Sequence, residues 1–102
     1  MKTWYVYLLR CKDNSLYCGV TTDPKRRLKE HNDGGKKGAK YTRARLPVEI
    51  EAVEPLPAKK SAYKLEYAVK QKPAAQKAVF LTKAALMMRD EYQPDDKRPQ
   101  ED

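Results

Sequence analysis

Two short runs of β-forming residues, separated by a polar turn, constrain this chain more than any other feature. Thr3 to Arg10 is rich in aromatic and β-branched side chains, and is too short and too aromatic for a helix. Leu16 to Thr21 is a second such run. Between them Lys12 to Ser15 is polar and contains Asp13-Asn14, a pair suited to turns. The pattern predicts a hairpin. Side chains alternate across a strand, so Tyr5, Tyr7 and Leu9 share one face and Trp4, Val6 and Leu8 the other. On the second strand Tyr17, Gly19 and Thr21 point one way, and Leu16, Cys18 and Val20 the other. Tyr7 and Tyr17 therefore lie on facing strands. Gly19 shares the face of Tyr17, where a missing side chain leaves room for a backbone or a ligand. Taken alone, these tyrosines are also what β propensity places on a sheet.

A helix follows. Asp23 can cap it, and Pro24 suits its first position because the missing N–H is unpaired there anyway. It should run to about Asn32, where Asp33-Gly34-Gly35 stops it. Arg27 and His31 are four apart and share one face. Leu28, the helix's only large apolar side chain, should anchor it to the core. Gly34 to Arg45 reads as a basic loop carrying Lys36, Lys37, Lys40, Arg43 and Arg45. Pro47 to Val53 alternates as a third strand, with Val48, Ile50 and Ala52 on one face, and Pro55 and Pro57 should end it. Ala58 to Lys72 is a second helix with an apolar stripe of Ala62, Leu65 and Val69, flanked by Tyr63 and Tyr67. Pro73 breaks it, and Ala74 to Met88 is a third helix, apolar at Val79, Phe80, Leu81 and Leu86. Residues 93–102 are polar and read as disordered. The expectation is one α/β domain over residues 1–88 and a charged tail over 89–102. Its order is β-β-α-β-α-α, a small three-stranded antiparallel sheet flanked by helices.

Charge narrows the partner. The chain has 22 basic and 14 acidic residues, a net charge of +8. Residues 89–102 hold three basic and six acidic residues, so residues 1–88 carry an excess of 11 positive charges. A basic body favours a polyanion, because neutralising phosphates releases condensed counterions. No stretch approaches the roughly 18–20 apolar residues of a membrane helix, and the N-terminus does not read as a signal peptide. A cytoplasmic location with no membrane partner is the expectation. There, Cys11 and Cys18 should be free thiols. Two cysteines and one histidine cannot make a zinc site of the usual kind.

Glu66 is the only carboxylate of the second helix, amid Lys59, Lys60, Lys64, Lys70 and Lys72. It lies at the edge of the apolar stripe, where a charge needs a partner. Either Arg27 in an ion pair or a metal would serve; one carboxylate with several waters commonly holds Mg²⁺ near phosphates. Glycine-rich phosphate loops, serine-nucleophile elbows and metal-binding histidine pairs are all missing. Cys18 with His31 as a thiol pair is disfavoured, since Cys18 faces away from Tyr17.

Taken together, these residues resemble the GIY-YIG nuclease family over roughly residues 3–72. The first motif is Tyr5-Val6-Tyr7 and the second Tyr17-Cys18-Gly19. Pro24 to Asn32 looks like the family's helix with its arginine and histidine, and Tyr7, Tyr17 and Arg27 are spaced by ten and ten. Glu66 looks like the family's metal-binding glutamate. The likeness is to short stand-alone bacterial members, similar to the catalytic part of structure-specific repair nucleases. Tyr5 stands where many members have glycine, Cys18 replaces an aliphatic, and Ala78 stands where many carry an asparagine twelve residues after the glutamate.

The resemblance implies hydrolysis of a DNA phosphodiester with one divalent cation, Mg²⁺ or Mn²⁺, held by Glu66. Arg27 would stabilise charge on the phosphate, Tyr7 and Tyr17 would position and activate water, and His31 would relay a proton. A tyrosine near its ordinary pKa of about 10 is a poor base at neutral pH, so it needs nearby positive charge, from Arg27 and the metal, to favour the phenolate. The basic loop (Lys36, Lys37, Lys40, Arg43 and Arg45) would hold the strand, whether branched, flapped or single, by its phosphates. Two other readings stand beside this one. The missing asparagine suits a nucleic-acid-binding module without turnover. The small size suits a catalytic subunit that docks a partner protein through residues 74–88.

Overall fold

The computed structural model describes residues 2–92. Its sheet has three strands: β1 (Trp4–Arg10), β2 (Leu16–Thr21) and β3 (Glu49–Leu56). The order is β2-β1-β3, antiparallel throughout. β1 is central because it is the most apolar run, with Val6, Leu8 and Leu9 almost wholly buried. The hairpin turn is closed by Cys11 N–H donating to Ser15 O, and Asn14 takes a positive φ of 68°. Asparagine tolerates that conformation better than most residues.

The two faces of the sheet carry different loads. Val6, Leu8 and Cys18 face the main core. There they meet Leu56, then Ala62, Leu65 and Val69 of α3 (Lys59–Lys70), and Leu81 and Ala85 of α4 (Ala74–Glu91). Burying each large aliphatic side chain contributes about 1.5–3 kcal/mol. Tyr7, Leu9, Cys11 and Val48 form a smaller cluster on the opposite face, with Tyr17 and Leu28 against it. Leu28 belongs to α1 (Pro24–Asn32), whose cap is Asp23, accepting from the Arg26 N–H at 3.1 Å. The cysteines thus sit on opposite faces, both buried and both free.

Four expectations need correction. The basic loop contains a short helix, α2 (Lys40–Arg43). Its entry packs tightly: a side chain at Gly38 would meet the carbonyl of Glu30 at 3.1 Å. β3 runs through Pro55 to Leu56 instead of stopping there, because β3 is an edge strand and an edge residue can lack its N–H. The alternation of β3 also breaks. Leu8 pairs with Ala52 but Leu9 pairs with Ile50, so Glu51 is an extra residue in a bulge. Paired residues share a face. Ile50 therefore lies on the face of Leu9, like Val48, while Ala52 packs against the main core. Finally, α4 continues past Met88 to Glu91. Arg89 anchors this last turn to β3 through Glu54 Oε1 (3.1 Å) and the Pro55 carbonyl (2.9 Å). The expected tail from 89 therefore begins inside a helix, and 93–102 lie outside the described residues.

Candidate active site

α1 brings Arg27 and His31 against the Tyr7 face of the sheet. Two contacts hold it there: Leu28 in the small cluster, and Asn32, whose amide grips the backbone of Val48. Asn32 Nδ2 donates to Val48 O at 2.9 Å, and Val48 N–H donates to Asn32 Oδ1 at 2.8 Å. His31 is completely buried.

Tyr7 reaches His31 across a glycine. Tyr7 pairs with Gly19 in the β1–β2 ladder, and its ring lies over that residue. An added Cβ at Gly19 would come within 2.6 Å of Tyr7 Cζ and closer still to the hydroxyl. The missing side chain is what lets the phenol extend to His31 Nε2, 3.0 Å away. His31 Nδ1 lies 2.8 Å from Thr42 Oγ1, and Thr42 donates to the carbonyl of Ala39 at 3.0 Å. The Tyr17 ring stands edge-on to His31 at 5.2 Å and stacks on Tyr41, which the Arg45 guanidinium covers at 3.8 Å. Arg27 lies beside the Tyr7 hydroxyl. Its Nη1 is held by Glu30 Oε1 at 3.0 Å and by the Lys37 carbonyl.

The protonation states follow from burial. Tyr7 is pushed up to about 12, by its burial first and by Tyr17 second; Arg27 pulls it down by less. Burial first, then Arg27, pushes His31 down to about 4. At neutral pH the pair is a phenol and a neutral imidazole. Of the two sources of positive charge expected to favour phenolate, Arg27 and the metal, Arg27 alone is outweighed by desolvation.

Glu66 is not part of this cluster. It lies on α3, on the other side of the sheet, where Lys70 Nζ meets its Oε2 at 3.2 Å. The expected ion pair with Arg27 is absent, since Arg27 is held by Glu30; Lys70, one turn along the same helix, is the ion-pair partner of Glu66. Its charge is felt at Cys18, whose thiol is pushed up to about 12 by burial first and Glu66 second. Such a thiol is a poor nucleophile, and the sheet separates it from the His31 face. The two faces do meet at the free edge of β2. There Lys70 and Lys77 line a cavity of about 210 Å³ together with Leu16, Tyr17, Cys18 and Tyr41.

The basic residues divide. Lys36, Lys37, Lys40 and Arg43 are exposed. Arg45 is engaged, with Asp13 at 3.1 Å and the Tyr41 carbonyl at 2.8 Å. Thr42, Asn32 and Glu30 are structural members of the site that the residue pattern did not single out. A lone threonine in a run of basic residues carries no signal of burial. Glu30 did have one, standing three and four residues after Arg27 and Arg26.

Comparison with known proteins bears on this geometry. Residues 3–78 match the GIY-YIG catalytic domain. The chain belongs to the GIY-YIG family. Both family motifs therefore lie on the central hairpin, in the register that sets Tyr7 against Gly19. Among similar proteins, a UPF0213 protein of Nitratidesulfovibrio vulgaris is 45% identical over 80 residues, covering 78% of this chain and 71% of its own. A UPF0213 protein of Xanthomonas campestris is 40% identical over 95 residues, covering 93% and 90%. A protein from E. faecalis, solved in solution by NMR, superposes with a TM-score of 0.57 at 42% identity, over 84% of this chain and 90% of that one. GIY-YIG domains are nuclease domains, so the family implies a nucleic-acid substrate. No helix among the described residues is long and apolar enough to cross a membrane.

Proposed function

We propose that this GIY-YIG protein is a divalent-metal-dependent endonuclease that hydrolyses DNA phosphodiester bonds, selecting structure over sequence, as in cytoplasmic DNA repair or processing. The observation that carries the proposal is the hydrogen bond from Tyr7 to a neutral His31 with Arg27 beside the same hydroxyl. In the proposed reaction Tyr7 passes its proton to His31 and takes one from the attacking water. Arg27 stabilises charge on the phosphate as the leaving oxygen departs. Tyr17 orients the water or the strand from its place against His31. Lys36, Lys37, Lys40 and Arg43, with Arg45 once it leaves Asp13, contact flanking phosphates, which position a strand but carry no base information.

Glu66 is the proposed metal ligand. Its hard oxygen donors suit Mg²⁺ or Mn²⁺, and Lys70 engages only Oε2. Among the described residues no group of three His, Cys, Asp or Glu gathers, so water and phosphate must supply the other ligands. When bound, the cation supplies electrostatic stabilisation of the leaving oxygen.

The test is a screen over flapped, branched, duplex and single-stranded DNA with Mg²⁺ or Mn²⁺, alongside Arg27→Ala and Glu66→Ala. Nicking by the wild type and its loss in both variants is the expected result. DNA left intact in every combination refutes the proposal. One observation favours a second reading, a binding module without turnover: Ala78, at the position of the family's asparagine, packs against the core and offers no polar group. That reading predicts binding that weakens steeply with salt and no cleavage.

A further inference from the structure

The imidazole of His31 faces two hydroxyls, and only one arrangement gives the Tyr7, Thr42 and ring protons an acceptor each. Thr42 has a single hydroxyl proton, directed at the Ala39 carbonyl. Were Thr42 to donate to Nδ1 instead, Nε2–H would point at Tyr7 and the phenol proton, whose partner is this imidazole, would have no acceptor; toward His31 the Thr42 oxygen therefore accepts. Nδ1 therefore carries the hydrogen, and Nε2 presents its lone pair to Tyr7. Thr42 is wholly buried, and no buried polar side-chain atom among the described residues lacks a partner. The Ala39 carbonyl is fixed in turn, because it also receives the Arg43 N–H that closes α2.

We infer that Thr42 is a positioning residue: it holds His31 in the Nδ1–H tautomer, so that Tyr7, and not Tyr17, is the tyrosine able to pass its proton to the imidazole. The inference rests on the nuclease reading only for the purpose of that transfer. In the step, the Tyr7 O–H bond breaks and an Nε2–H bond forms, giving phenolate and imidazolium. The phenolate then takes a proton from water, leaving hydroxide to attack phosphorus. The charged and titratable groups around His31 are Arg27 and Glu30 on its own helix, Tyr7 on β1 and Tyr17 on β2; α2 presents the neutral Thr42. Glu30 favours the imidazolium and Arg27 opposes it.

His31 is the only histidine in the chain, so its ring nitrogens can be read without assignment. The experiment is a long-range ¹H–¹⁵N spectrum of the ¹⁵N-labelled full chain at pH 7, without nucleic acid. The wild type and Thr42→Ser should show a protonated Nδ1 and a bare Nε2. Thr42→Val, or Thr42→Ala should the valine variant fail to fold, should lose that preference at least tenfold and populate Nε2–H. An Nε2–H wild type, or a hydroxyl-free variant that keeps Nδ1–H, overturns the inference. Because no DNA is present, a protein that never cleaves leaves the tautomer result standing, and a wrong tautomer leaves the cleavage screen standing. In a cleaving protein, Thr42→Val should lower kcat about 100-fold with little change in KM, and Thr42→Ser should restore it.

Discussion

Gly19→Ala should dislodge Tyr7 without removing any polar group. The new methyl would stand 2.6 Å from Tyr7 Cζ and 2.9 Å from Cε1, where carbon atoms settle at about 3.5–4.0 Å. The ring is rigid and nearly buried, so it must shift by about 1 Å. A shift of that size away from His31 stretches the 3.0 Å hydrogen bond to about 4 Å, beyond useful range. The strain costs about 1–3 kcal/mol, and leaving a buried phenol and imidazole unsatisfied costs about the same again. Urea denaturation should therefore show a loss of roughly 2–5 kcal/mol. Cleavage should fall on the order of 100-fold, as for a catalytic group displaced by 1 Å. The control is the same substitution in a Tyr7→Leu background. Leucine lacks all three clashing atoms, so there Gly19→Ala should be nearly neutral, giving a large coupling between the two sites. A Gly19→Ala protein as stable and as active as the wild type would refute this account of the motif.

Stability should also track the protonation of His31. Its folded pKa of about 4 lies below the ordinary 6.5, so folding favours the neutral ring. That contribution is complete above pH 6.5 and is lost as pH falls from 6.5 through 4. The loss is about 3 kcal/mol at most, and urea midpoints measured across that range should show a drop that His31→Gln flattens. Asn32→Ala removes both grips on Val48 and should cost about 1–3 kcal/mol in the same assay. Both thiols should resist an aromatic disulfide reagent in the native protein and react only on unfolding; fast labelling of Cys18 in folded protein would contradict its burial and raised pKa.

The hairpin and α1 were legible in the sequence because their signals are local. Period-two alternation assigned Tyr7 and Tyr17 to one face and Cys18 to the other, and Asp23-Pro24 marked the helix start where it occurs. Arg27 and His31 converge because four residues make about one helical turn. What escaped depends on partners distant in the chain. The bulge at Glu51 exists only in register with β1. The burial of Thr42 needs the segment after α1 to fold back on His31, which no window around residue 42 contains. The Glu66–Lys70 pair is different: its i, i+4 spacing carries the signal of a local ion pair, so an ion pair with distant Arg27 is not needed.

The bulge in β3 lets one strand serve both faces of the sheet with residues that simple alternation would put on a single face. Upstream of Glu51, Val48 serves the Tyr7 side; downstream, Ala52 serves the main core. One residue of slack joins two registers. Substituting Glu51 removes an exposed tie to Arg10 and little else. Deleting it would restore perfect pairing with Ile50 still opposite Leu9, Val48 on the same face and Ala52 opposite Leu8, so the Val48 backbone would keep its hold on Asn32. What the site could not survive is a regular strand that keeps all its residues: Glu51 would then pair with Leu9, and Val48 and Ile50 would turn to the face of Leu8, pulling the Val48 backbone from Asn32 and α1 from the sheet.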